Sequence, residues 1–312
     1  MRSPAYWKRL LAFCVASVML IAPFRFLTVN AVVRVNTPSA KVPATATMTT
    51  NGIYDGVLMK LTDLSYVDLQ DYVGKSMRDL EVLSAHQQGP KSISDEVTHV
   101  DKLDWHVPYQ EANQFFFSDL NTWKIIAVDN LENQDGFYAV AYQQGNTVVI
   151  AFRGTVNVQD LVADAEIYLS VPNMVEQLTP AEQFVNKVEA QLHGQPTHVI
   201  LTGHSMGGWL AQKIYTLDSG KWANWNITGS TVFNSIGTGF HPSISQASSV
   251  KDYHFQGDVF SDYGSSLGTE IVIPNDTPGE SVYDRHQMYD FYKYFYPSVP
   301  QAAGLAREGM QG

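Results

Sequence analysis

The sequence predicts an α/β protein with a mainly parallel central sheet covered by helices on both faces. β-type and helical segments alternate along the second half of the chain. One β-type segment, HVILTG (198–203), is a continuous apolar run of strand length, as a strand buried on both faces requires. Gly203-His204-Ser205-Met206-Gly207 joins that run to a helical segment, GGWLAQKIYTL (207–217). The 312 residues are 45% hydrophobic and 16% charged, enough apolar material for a large core and too little charge for a disordered chain. Collagen, a coiled coil and a multi-span membrane protein are excluded. With 20 basic and 31 acidic residues the net charge is -11, which repels phosphate backbones, so nucleic acid is not an expected partner.

Taken in order, residues 1–31 carry Arg2, Lys8 and Arg9, an apolar run from Leu10 to Ala22, then Pro23 and the small-residue stretch Val29-Asn30-Ala31. This is the pattern of a secretory signal peptide, and it predicts a secreted or periplasmic protein. The run of 13 residues is short of the roughly 20 that cross a bilayer as a helix, so an uncleaved anchor at 10–22 is the alternative. The single cysteine, Cys14, lies inside it; this excludes an intramolecular disulfide and a Cys-ligated zinc site. Phe13 before Cys14 argues against lipid attachment. Cleavage after Ala31 would leave 16 basic and 31 acidic residues, a charge of -15. Residues 32–51, rich in Thr, Ala and Pro, read as a flexible leader to one domain over 52–312.

From there Ile53-Tyr54, Val57-Leu58, Leu61, Leu64 and Tyr66 recur at helical spacing, and Met77, Leu80, Val82 and Leu83 mark a second helix. Residues 86–122 read as mostly irregular, with an apolar cluster at Phe115-Phe116-Phe117 assigned to core packing. WKIIAVDN (123–130), FYAVAYQQ (137–144) and TVVIAFRGT (147–155) form an antiparallel meander, with Gly145-Asn146 as a tight turn. Thr179-Pro180-Ala181-Glu182 reads as a capping box opening a helix whose apolar face is Phe184, Val185, Val188 and Leu192. Strand signals recur at STVFNS (230–235), DYHFQ (252–256) and TEIVIP (269–274). The sequons at Asn226 and Asn275 matter only in a host that glycosylates.

The chemistry centres on Ser205. G-x-S-x-G arises by chance in a chain this long at a rate of roughly 0.1, given glycine and serine near 7% each. A buried strand before it and a helix after it are the setting of a nucleophile elbow, and the glycines let the tight turn close. A serine hydroxyl needs a base to take its proton and an acid to orient that base. In such elbows the order is Ser, then Asp or Glu, then His. His241 and His254 follow Ser205, but His286 alone also follows the best acids, in the loop-like stretch SVYDRH. Asp258, directly after strand 252–256, is the first acid candidate and Asp262 the second; Glu270 lies within a strand and Asp276 in a polar loop. His204 suits packing under the elbow, and Arg153 a structural pair with a buried carboxylate.

AFRGT (151–155), GHSMGG (203–208), Gly257-Asp258 after a strand and a late His-x-Met-Tyr together resemble the class 3 lipase group of α/β-hydrolases, in its bacterial branch, over about residues 52–295. The resemblance implies an α/β-hydrolase fold and a Ser205, Asp258, His286 triad. It also implies an oxyanion hole from the N–H groups of Thr155 and Met206. It implies a carboxylic-ester hydrolase that cleaves acylglycerols, with a lipid or other ester as substrate and transient contact with a lipid surface. Residues 156–175 lie where the resembled lipases carry a helical lid; an ordinary core helix is the other reading. No cofactor or metal is implied, since no metal-ligand spacing or phosphate loop is present. A phospholipase A1 or a feruloyl-type esterase would use the same triad. A serine peptidase and a catalytically dead envelope-binding module are further readings, and the second would need a lost triad member, whereas none is missing.

Overall fold

In the computed structural model, a seven-stranded sheet runs in strict chain order. The residues described are 49–90, 92–98, 108–132, 136–155, 176–192, 197–217, 225–238, 249–275 and 279–297. The chain divides into two units, Met1–Pro43 and Ala44–Gly312, and every described residue lies in the second. The expected signal segment, Cys14, residues 156–175, His241 and Asp276 lie outside the described residues. Among the described residues no helix is long and apolar enough to cross a membrane.

Two short strands, β1 (Thr49–Thr50) and β2 (Ile53–Tyr54), pair antiparallel and lead into helix α1 (Asp55–Asp63). Two expectations need correction here. Thr49 and Thr50 fall in the expected leader yet are paired, and Thr50 Oγ1 bonds Asp55 and Thr231. Ile53-Tyr54 belongs to a strand, because the positive φ of Asn51 and Gly52 turns the chain back on itself before the helix starts. Helices α2 (Met77–Ala85), α3 (Ile93–Thr98) and α4 (Tyr109–Phe117) follow. The last two correct the irregular reading of 86–122; α3, at six residues, is too short for an apolar period, and α4 gathers its phenylalanines at one end instead of spacing them. Phe116 and Phe117 are fully buried, and Phe115 packs edge-to-face on Tyr296, as the core assignment expected.

The large sheet holds β3 (Lys124–Leu131), β4 (Phe137–Gln144), β5 (Thr147–Phe152), β6 (Thr197–His204), β7 (Trp225–Phe233), β8 (Val250–Phe255) and β9 (Thr269–Ile273). β3–β4 and β4–β5 pair antiparallel; β5 to β9 are parallel. Gln144 pairs with Thr147 across the Gly145-Asn146 turn, where Gly145 has φ 56°.

Alternation along β5 explains the layers. Val148, Ile150 and Phe152 point to a core shared with α5 (Leu178–Gln191) and α6 (Met206–Leu217), whereas Val149 and Ala151 point to one shared with α1, α2, α4 and α8 (Asp290–Phe295). Both faces are therefore covered, as parallel strands demand. Each of those buried Val, Ile and Phe side chains contributes about 1.5–3 kcal/mol. Helix α5 starts at Leu178, its N-cap Gln177 makes no side-chain cap bond, and Thr179 lies inside the first turn. The expected capping box does not form, because a proline in the first turn needs no N–H acceptor and lets the helix begin upstream, with Thr179 already helical.

Candidate active site

Parallel strands bring their carboxyl ends to one edge of the sheet, and the chemistry-bearing residues collect there. Arg153-Gly154-Thr155 follows β5, Ser205 follows β6, and Asp258 lies three residues beyond β8. His286 comes after β9, as the last residue of α7 (Val282–His286). The loop expected there is a short helix, because Ser281 caps it by accepting from the Asp284 N–H at 3.1 Å.

Ser205 sits at the elbow with φ 56°, fully buried. Its N–H donates to Phe233 O at 3.1 Å, and its carbonyl accepts from the N–H groups of Gly208 and Trp209, which opens α6. A Cβ on Gly203 would lie 2.3 Å from the Gly207 backbone, and one on Gly207 would lie 2.0 Å from the Phe152 carbonyl oxygen. The elbow closes only because these backbones can touch.

Asp258 and His286 are both fully buried and bonded to each other, with His286 Nδ1 2.9 and 3.0 Å from the two carboxylate oxygens. Since a carboxylate only accepts, Nδ1 carries the proton and Nε2 presents its lone pair. Burial pushes the Asp258 carboxyl up, but the charge that His286 carries when protonated and hydrogen bonds from His286, Ser261 and the Phe260 N–H hold it below its ordinary value. Ser205 Oγ and His286 Nε2 are both buried with no hydrogen-bond partner among the described residues. The residue before the nucleophile touches the base: His204 Nε2 donates to the His286 carbonyl at 2.7 Å.

The remaining expected residues sort clearly. Gly154 packs on the elbow, where a Cβ would lie 3.0 Å from Ser205 Cβ, so the turn ending at Thr155 borders the nucleophile. Met206 is buried and is the first residue of α6, where helix geometry leaves an N–H without an acceptor four residues back. Asp262 and Glu270 are exposed. His254 is buried near Asp252. Arg153 is structural, stacked 4.2 Å from the Tyr138 ring centroid, but its ion-pair partner Glu132 is exposed rather than buried. Among the described residues no cluster of three or more His, Cys, Asp or Glu is placed to hold a metal ion.

Three supporting residues escape a reading of the sequence. Asn234, just past β7, accepts from the Phe255 N–H at 3.1 Å and donates to the Arg285 carbonyl at 3.1 Å, joining the acid strand to the base helix. Arg285 donates to Gly257 O at 3.0 Å, clamping the acid turn to the same helix. Tyr66 reaches His204 Nδ1 at 2.6 Å. The serine cap of α7 was readable, whereas these long-range bonds have no local signature.

A mainly parallel sheet with helices on both faces and a glycine-flanked serine elbow after a central strand is the architecture of the α/β-hydrolases. A family model for phospholipase-like proteins, the Tle-like phospholipase domain, matches residues 92–273, well over half of the chain, and the chain belongs to that family. It is thus a carboxylic-ester hydrolase of lipase and phospholipase type, in line with the lipase-like resemblance. No curated protein matches the chain. Solved structures similar to it include the Rhizomucor miehei triacylglyceride lipase, at 18% identity and TM-score 0.41, covering 61% of this chain and 92% of that one. The lipase of Rhizopus microsporus var. chinensis is 14% identical at TM-score 0.40, covering 66% and 78%. A triacylglycerol lipase described as having a serine protease triad is 16% identical at TM-score 0.44, covering 74% and 92%.

Proposed function

We propose that this chain hydrolyses acyl esters of glycerophospholipids through an acyl-enzyme on Ser205. The observation that carries this reading is the buried Asp258–His286 pair on the same sheet edge as the Ser205 elbow, in a chain of a phospholipase-like family. Ser205 Oγ attacks the ester carbonyl carbon as its proton passes to His286 Nε2. Asp258 holds the Nδ1 proton and stabilises the imidazolium that forms. The amides of Thr155 and Met206 hold the tetrahedral oxyanion, a role in which one donor contributes about 3–4 kcal/mol. His286 then protonates the leaving alkoxide. Water, deprotonated by the same nitrogen, attacks the acyl-serine and releases fatty acid.

The net charge of -11 disfavours adsorption to anionic surfaces, so zwitterionic phospholipid is the substrate of choice. The pattern of residues 1–31 supports export of this enzyme. Fatty-acid release from phosphatidylcholine vesicles tests the reading: the wild type should release it, and Ser205→Ala should reduce release to background with the circular dichroism spectrum unchanged. Release of fatty acid from acylglycerol emulsions but not from phospholipid would move the substrate to acylglycerols. Retained activity in Ser205→Ala would remove Ser205 from the chemistry altogether.

A further inference from the structure

His204 adjoins the nucleophile, yet its ring points away from the reaction and into a chain of hydrogen bonds. Its Nε2 lies 2.7 Å from the carbonyl oxygen of His286, and a carbonyl can only accept, so Nε2 carries a proton. Its Nδ1 lies 2.6 Å from Tyr66 Oη. Burial, and next the charge that His286 takes on when protonated, push the imidazole down to about 3, so the ring is neutral and Nδ1 is an acceptor. Tyr66 therefore donates to His204, and its oxygen packs against Gly154, where an added Cβ would lie 2.7 Å away. Two bonds run in one direction, Tyr66 Oη–H to His204 Nδ1 and His204 Nε2–H to the His286 carbonyl, with Tyr66 packed on Gly154 at the start. The chain begins against the turn that carries Thr155 and ends on the main chain of the base. Ring contacts support both ends, at 5.8 Å between Tyr66 and His204 and 4.8 Å between His204 and His286.

We propose that Tyr66 and His204 are positioning residues that hold the Thr155 turn and His286 at a fixed separation across Ser205. Neither touches substrate. Tyr66, on the short 3-10 turn Leu64–Tyr66 after α1, also locks the His204 tautomer. Without the phenol hydroxyl, the Nδ1 lone pair is left unpaired in a dry site, and the ring loses the contact that fixes its orientation toward the His286 carbonyl. Misplacement of a catalytic group by about 1 Å costs on the order of a hundredfold in rate. This inference rests on the assignment of Ser205, His286 and Thr155 above.

The test is steady-state hydrolysis of p-nitrophenyl butyrate by the wild type and by Tyr66→Phe, His204→Leu and His204→Gln, each checked by thermal melting. Tyr66→Phe and His204→Leu should lower kcat by about ten- to a hundredfold with KM within about twofold, since an element that aligns reacting groups acts on the transition state. His204→Gln keeps an amide donor within reach of the His286 carbonyl and should recover most of the kcat. The inference is overturned if Gln and Leu at 204 are equally impaired, or if kcat falls only with the folded fraction. Should Leu fail to fold, Tyr66→Phe, which removes one atom, decides it by the same kcat and KM criterion. An inactive wild type would overturn the esterase reading and the relay with it, whereas an active wild type with unaltered variants overturns the relay alone.

Discussion

Ser205 carries a side chain at φ 56°, in the left-handed region where L-residues other than Gly, Asn and Asp rarely sit. Holding it there costs about 1–3 kcal/mol, which the surrounding backbone contacts impose. Glycine adopts that conformation without a Cβ penalty. Ser205→Gly should therefore raise the unfolding free energy by about 1 kcal/mol while removing hydrolysis, as read by urea denaturation beside the ester assay. A loss of stability would mean that the elbow is relaxed and that the hydroxyl contributes to the fold. At this scale the sequence was most legible, because the glycines around Ser205 and the order of serine, acid and histidine are local or ordinal signals. The His204 bond to Tyr66 spans 138 residues, and no spacing rule reaches that far.

Helix α1 is the element whose character departs most from its pattern. Its apolar spacing marks one inward face, yet all nine residues from Asp55 to Asp63 are buried. The polar ones find partners outside the helix: Asp55 in Thr50, Lys251 and Tyr253, and one oxygen of Asp63 in Tyr292. Lys60 is satisfied by Asp119 and the Phe115 carbonyl, with its ammonium 4.3 Å from the Tyr296 ring centroid. Periodicity reads a helix's own residues and cannot see what covers its polar side. Lys60→Met keeps the volume but takes the cation from Asp119, which keeps the Tyr296 hydroxyl as a donor, and leaves the Phe115 carbonyl without this donor. Its cost should fall toward the lower end of the roughly 3–5 kcal/mol seen when one partner of a buried pair is removed, because Asp119 retains some contact with water. Equilibrium unfolding measures it, and a neutral result would mean that the aromatic contacts alone hold α8 in place. The helices α3 and α4 are illegible for simpler reasons: α3 completes too few turns for a period to emerge, and the apolar residues of α4 are adjacent and not spaced by a turn.

For the whole molecule, a buried acid sets a direction for stability against pH. Burial first, and the charge of Glu270 next, push the Asp252 carboxyl up to about 7, against hydrogen bonds from Ser266 and the Ser235 N–H. The folded chain thus keeps a proton that the unfolded chain releases near 4. Stability from this group is fully present below the unfolded value and is lost as pH rises toward and past 7. Asp252→Asn retains an acceptor for Ser266 and does not titrate. Its melting temperature relative to the wild type should climb steadily between pH 4 and pH 8, and a difference independent of pH would refute the proton. The parallel sheet was legible at this scale from alternating segments, while the pairing that buries Asp252 was not.

The strict sequential order of the seven strands has a bearing on how the molecule is made. Each strand from β4 to β9 can add to an edge its predecessor has already formed, so the sheet can grow as the chain leaves the ribosome. The strand before Ser205 would dock well before the segments that carry Asp258 and His286. During synthesis the nucleophile would exist without its base, and the enzyme would become competent only once the segment that carries His286 has emerged.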